Sequence, residues 1–158
     1  MPILPPPVAD NGYLSEHIEL LRRSLRALTG RDLVDGRLSP EEAAERVYRA
    51  PFAVLSHDTS PDPILTYANR CALELFDLTW DQLVRMPSRL TAEAPDREER
   101  ARLLAGVADL GYTDGYAGVR VSRTGRCFRI QAATVWNLTD RAGRCQGQAA
   151  TFSRWELL

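Results

Sequence analysis

At 158 residues the chain has the length of one domain, enough to bury a core without disulfide or metal staples. Its net charge of −1 gives neither the basic field that attracts nucleic acid nor an acidic tail. All 20 basic residues are Arg, which excludes a Schiff-base lysine and a P-loop lysine. Cys71, Cys127 and Cys145 have no motif spacing and are odd in number, so they read as reduced thiols of a cytoplasmic protein. The opening MPILPPPVADNG lacks the charged start and apolar run of a signal peptide. No apolar stretch approaches the roughly 18 residues of a membrane span.

In chain order, residues 1–12 are Pro-rich and read as a flexible arm. Residues 13–38 hold a helix, from about Leu14 to Leu28, and a linker. In that helix Leu14, Ile18, Leu21, Leu25 and Leu28 are spaced 4, 3, 4, 3, a coiled-coil-like seam ended by Gly30. Two heptads cannot hold a coiled coil alone, so the seam packs either on its own domain or on a second copy. The second use makes these five residues a dimer interface and the protein a homodimer. His17 falls on the polar side of that helix and reads as solvated.

The domain proper is expected over residues 39–158. Ser39-Pro40-Glu41-Glu42 carries a capping box and opens a helix that stops at Ala50-Pro51. Phe52–Ser56 and Ile64–Tyr67 read as short strands around a polar loop. Asn69 caps a short helix, and Thr79-Trp80-Asp81-Gln82 opens another turn. A longer helix runs from Asp96 through Leu110 to Gly111. The chain closes on three antiparallel strands between Gly115 and Trp155, joined by turns at Ser122–Gly125 and Thr139–Gly143.

The middle of those strands alternates. Phe128, Ile130, Ala132, Thr134, Trp136 and Leu138 share one face; Cys127, Gln131, Ala133 and Val135 share the other. Pairing through the second turn sets Trp136 opposite Gly147, Thr134 opposite Ala149 and Ala132 opposite Thr151. Large residues facing small ones leave either a hollow or an interdigitated core. The Val135 face offers a landing surface for the first helix. The sum is an α+β fold: a five-stranded antiparallel sheet with helices on one face and an N-terminal helical extension.

That order resembles the PAS fold, most closely at Asp62–Phe76 and at the hairpin Asp140–Gly143 with Gly147. More narrowly, the chain resembles the MEKHLA family. This PAS-like group is found in bacteria and at the C-terminus of plant class III homeodomain-leucine zipper proteins; the chain resembles its bacterial stand-alone form. The residues carrying this are Pro51-Phe52, Ser56-His57, Tyr67–Phe76, Pro87–Thr91, Gly118–Ser122, Thr124–Arg126, Ala133–Asn137, Gly147–Ser153 and Trp155. The resemblance implies a regulatory or sensory module, and no homeodomain, zipper or kinase accompanies it. The Asn-Cys-Arg-Phe segment of flavin photosensors has no counterpart at Ser88–Glu93. The long helix has no His for haem, so no cofactor is assigned.

For chemistry, His57 within Ser-His-Asp is either a base or a structural histidine, and no metal partner has suitable spacing. Arg89 and Arg120 are each able to pair with a ligand carboxylate, although solvated faces are the plainer reading. The ligand-binding set expected from the sequence is His57, Tyr67, Asn69, Arg89, Trp136 and Thr151. The leading function is a non-enzymatic module that binds a small ligand or makes dimer contacts, away from membranes and nucleic acids. The alternatives are a cone-fold isomerase or dehydratase using His57 beside Asp58, and a ligand-free dimerisation adaptor.

Overall fold

The computed structural model describes residues 3–158. Its elements are α1 (Ser15–Thr29), α2 (Pro40–Arg49), β1 (Ala53–His57), β2 (Leu65–Ala68), α3 (Arg70–Leu75), α4 (Trp80–Leu83) and α5 (Ala94–Leu110). They are followed by β3 (Tyr112–Val121), β4 (Cys127–Thr139), β5 (Cys145–Phe152) and β6 (Arg154–Leu157). The antiparallel sheet has the order β2-β1-β5-β4-β3, and β6 pairs with β4. The expected third strand of the C-terminal meander is thus two strands: β5 breaks at Ser153, and β6 lies against residues 128–131.

The helix boundaries follow their caps. Ser39 Oγ accepts from the Glu42 backbone N–H, and the Glu42 carboxylate accepts from the Ser39 N–H. Gly30, at φ +76°, ends α1 by donating its N–H to the Arg26 carbonyl. Asn69 caps α3 and ties three elements together. Its Oδ1 accepts from Ala72 N and Val54 N, and its Nδ2 donates to the carbonyls of Val47 and Phe52.

The Pro-rich stretch, expected as a flexible arm, is anchored on the domain at Leu4 and Pro7, while Ile3 and Val8 are exposed. Trp80 Nε1 donates to the Leu4 carbonyl at 2.9 Å, and Pro7 is buried. Met1 and Pro2 lie outside the described residues.

The centre of β4 departs from strict alternation. Ala132 sits at φ +53°, and the β3–β4 register slips around it. This bulge turns the strand over. Phe128 and Ile130 face α3 and α5, whereas Thr134, Trp136 and Leu138 face α1. The expected grouping of all six residues on one face is corrected accordingly. The pairing also sits two positions from the expected one: Trp136 faces Ala149, Thr134 faces Thr151, and Leu138 faces Gly147. A shift of two keeps every side chain on its face. Gly147, at φ +129°, lets β1 approach; a Cβ there would stand 1.9 Å from the His57 carbonyl oxygen.

Helix α1 lies on the Trp136 face. Trp136 is fully buried and its indole N–H donates to the Leu21 carbonyl at 3.2 Å. Val135 and Ala133 are buried under α5 and do not receive α1. Leu14, Ile18, Leu21 and Leu25 are buried within the chain, and Leu28 packs partly against the same core. Four of the five seam side chains are thus occupied within the chain, and Leu28 alone is partly exposed. His17 is likewise buried, not solvated. Its Nε2 lies 3.0 Å from Ser56 Oγ, which lies 2.8 Å from Thr66 Oγ1.

Candidate functional site

A cavity of about 70 Å³ lies between α5 and the sheet face opposite α1. β1 and β2 contribute Leu55 and Leu65, β4 contributes Ile130 and Val135, and α5 closes the space with Leu103 and Leu104. Strand alternation places Leu55 and His57 on this face while Val54 and Ser56 turn toward α1. The lid is light: of the 17 residues of α5, only Val107 is buried. It is pinned at its C-terminal end, where Asn137 Nδ2 donates to the Val107 carbonyl and Gln148 Nε2 to the Leu104 carbonyl.

Polar side chains also line this apolar space, among them His57, Arg100, Tyr116, Arg120 and Gln148. His57 Nδ1 donates to the Asp58 carbonyl at 2.9 Å, which fixes the tautomer, because a carbonyl only accepts. Nε2 then carries a lone pair, and it is buried with no hydrogen-bond partner among the described residues. Burial lowers the His57 pKa, and the charge of Arg100 lowers it further, so the ring is neutral at pH 7.

Arg120 is 7% exposed, where a solvated position was the plainer expectation. It donates to the Tyr116 hydroxyl at 3.0 Å and to the Val119 carbonyl at 2.8 Å, with its guanidinium carbon 5.4 Å from the Tyr116 ring centre. The Tyr116 hydroxyl donates to Glu99 at 3.0 Å. Gly118 makes this possible, because a Cβ there would stand 2.2 Å from that hydroxyl oxygen.

Arg100, on α5, has neither a hydrogen bond nor an ion pair among the described residues. Burial pulls its pKa down to about 10, with the positive charge of Arg120 adding to the effect. Two guanidinium groups thus approach one apolar cavity, and one of them is uncompensated.

Of the six ligand-binding residues expected from the sequence, His57 alone lines this cavity. Tyr67, Trp136 and Thr151 belong to the α1 face, because the bulge at Ala132 and the alternation of β1, β2 and β5 turn them there. Tyr67 is fully buried, 5.8 Å from the His17 ring and 5.9 Å from Trp80. Thr151 donates to the Ala53 carbonyl at 2.9 Å. Asn69 is a structural cap, and Arg89 is exposed and paired with Asp62 at 3.2 Å.

The sequence reading missed Arg100, Tyr116 and the orientation of Gln148. A signal for Arg100 existed. Arg100, Leu103, Leu104 and Val107 fall at i, i+3, i+4 and i+7, so the arginine lies on the apolar stripe of its helix.

The pair His57–Asp58 does not form an acid–base dyad. The Asp58 carboxylate accepts from the Ser60 and Ile64 backbone N–H groups at 3.0 Å each, and so holds the loop instead of the imidazole. Among the described residues no cluster of His, Cys, Asp or Glu could hold a metal ion. Nor is any helix long and apolar enough to cross a membrane.

The sheet order, the short helices and α5 over one face with α1 on the other, and the cavity beneath α5 make a PAS/LOV-like fold. A PAS domain from Colwellia psychrerythraea superposes with a TM-score of 0.62 at 13% identity, over 75% of this chain and 95% of that one. The LOV domain of the blue-light photoreceptor Aureochrome1 gives 0.55 at 20% identity, over 78% and 88%. The MEKHLA domain model matches residues 15–157, and the chain belongs to that family. Relatives include the homeobox-leucine zipper protein ATHB-14 of Arabidopsis thaliana, 26% identical over 147 residues, or 89% of this chain and 17% of that protein. HOX29 of Oryza sativa subsp. indica, also a homeobox-leucine zipper protein, is 26% identical over 110 residues, or 70% and 13%. The chain thus spans less than a fifth of these relatives.

Proposed function

We propose that the chain is a non-enzymatic regulatory module that senses a small molecule held between the sheet and α5. The observation that carries this reading is the largely apolar cavity into which a partnerless His57 Nε2 opens. A buried lone pair without a donor is costly, and a ligand or a water with a donor group offsets that cost. The same cavity holds no nucleophile beside a base, which favours binding over turnover. Because α5 buries so little of itself, occupancy beneath it changes how the helix sits. Output to a partner protein, a second copy included, would leave through α5 or the neighbouring edge strand β3, since the α1 seam is spent on the core. A cytoplasmic location fits its three free cysteines.

Native against denaturing mass spectrometry of the purified protein tests the reading. The expected result is an added small mass in the native spectrum that denaturation releases. A bare native mass, together with no binding of any small molecule by calorimetry, overturns it.

A further inference from the structure

We infer that the cavity ligand is a small monocarboxylate with an apolar body, its carboxylate held by Arg100 and Arg120. This rests on the reading of the cavity as a ligand site and adds the chemistry of the ligand.

The argument starts from Arg100. A cation removed from water is retained in a fold at a cost unless a counter-charge or hydrogen bonds compensate it. Arg100 is half-buried, and the two arginines buried more deeply than it are both compensated. Arg22, 2% exposed, has Asp32 at 2.9 Å and Glu19 at 2.6 Å. Arg120 has the Tyr116 hydroxyl and the Val119 carbonyl. Arg100 lines the cavity with neither, and the like charge of Arg120 acts on it unfavourably. Glu99, the carboxylate that accepts from Tyr116, is exposed. An anion entering from outside is what completes the set.

The shape of the anion follows from the remaining walls. A guanidinium fork matches a carboxylate or a phosphate equally well. Besides Ser56, His57, Thr91 and Gln148, the rest of the lining is mostly aliphatic and aromatic (Leu55, Leu65, Phe76, Val135, Phe152), which favours an organic acid with an apolar body over a free inorganic anion. Size sets a bound as well. On the measure by which one water occupies roughly 10–15 Å³, a 70 Å³ cavity takes about half a dozen heavy atoms.

Butyrate, its uncharged isostere butyramide, and inorganic phosphate are the probes, each titrated calorimetrically into the full chain in a buffer free of other organic anions. Butyrate is expected to bind, butyramide to bind at least about tenfold more weakly, and phosphate not to displace butyrate. Arg100→Met should weaken butyrate by about ten- to a hundredfold. In the absence of anions the same variant should melt at or above the wild-type temperature, because it removes an uncompensated charge. Arg100→Lys, which keeps the charge and loses the fork, should fall between the two.

Equal binding of butyrate and butyramide, or unchanged butyrate affinity in Arg100→Met, overturns the inference. So does a lower melting temperature for Arg100→Met without anions, which would give the arginine a structural role. Binding of phosphate in preference to butyrate overturns the carboxylate. A neutral molecule released in the denaturing mass spectrum sinks the inference and leaves the sensory module standing. Binding of none of the three probes sinks the inference, and the sensory module falls with it only where the native mass is bare and no other small molecule binds.

Discussion

His17 shows how one residue couples burial to pH. Its ring is 8% exposed, and burial lowers its pKa from 6.5 to about 4. In the unfolded chain the ring takes up a proton near pH 6.5; in the fold it resists until about pH 4. Between those values the unfolded state binds more protons, so stability falls as pH falls through that window and rises as pH rises. The upper bound on this contribution is on the order of 3 kcal/mol. His57 acts in the same direction. His17→Gln keeps a donor for Ser56 and removes the titration. Urea unfolding of the variant should show a shallower loss of stability between pH 7 and pH 5 than the parent. Identical slopes would mean that His17 does not carry the dependence. The sequence placed this residue on the wrong face because it considered the seam alone. Helix α1 lies flat on the sheet and buries a wider stripe. His17 and Ser24 form a second row beside Leu14, Ile18, Leu21, Leu25 and Leu28.

At the scale of elements, α1 and α5 divide the work. α1 buries Ile18 and Leu21 completely against β4, and Arg22 clamps the following linker through Asp32. Changing Leu21 and Leu25 together to Asp places two carboxylates in a dry interface, at a cost above about 4 kcal/mol. The expected outcome is loss of the near-ultraviolet dichroism of Trp136, with the domain unfolded. A folded variant that merely sediments as a smaller species would return the seam to an interface between copies. The spacing of the seam was visible in the sequence. Its use was not, because a regular 4-3 stripe suits the chain's own sheet and a partner helix equally well. Position decides, since the sheet face presented by Trp136 and Leu138 lacks any other cover.

Across the whole molecule, stability is uneven. β4 is buried along most of its length, whereas α5 buries only Val107 and is held by side-chain bonds from Tyr116, Asn137 and Gln148. Hydrogen exchange should therefore protect the amides of β4 far longer than those of α5, and equal protection would argue against α5 as the element that responds to the cavity. The sequence by itself determined the helix ends, the order of elements and the family. Capping boxes, Gly30 and the Gly-containing turns act locally, and the family resemblance resides in contiguous runs such as Tyr67–Phe76. Tertiary structure decided which face each side chain serves. Ala132 at φ +53° turns β4 over, and nothing in an alanine announces a bulge. That inversion moves Trp136 and Thr151 away from the cavity and brings Val135 and Gln148 into it. Arg100 acquires its meaning in the same way, because an arginine on a helix stripe is ordinary until the opposing sheet proves to offer it no counter-charge.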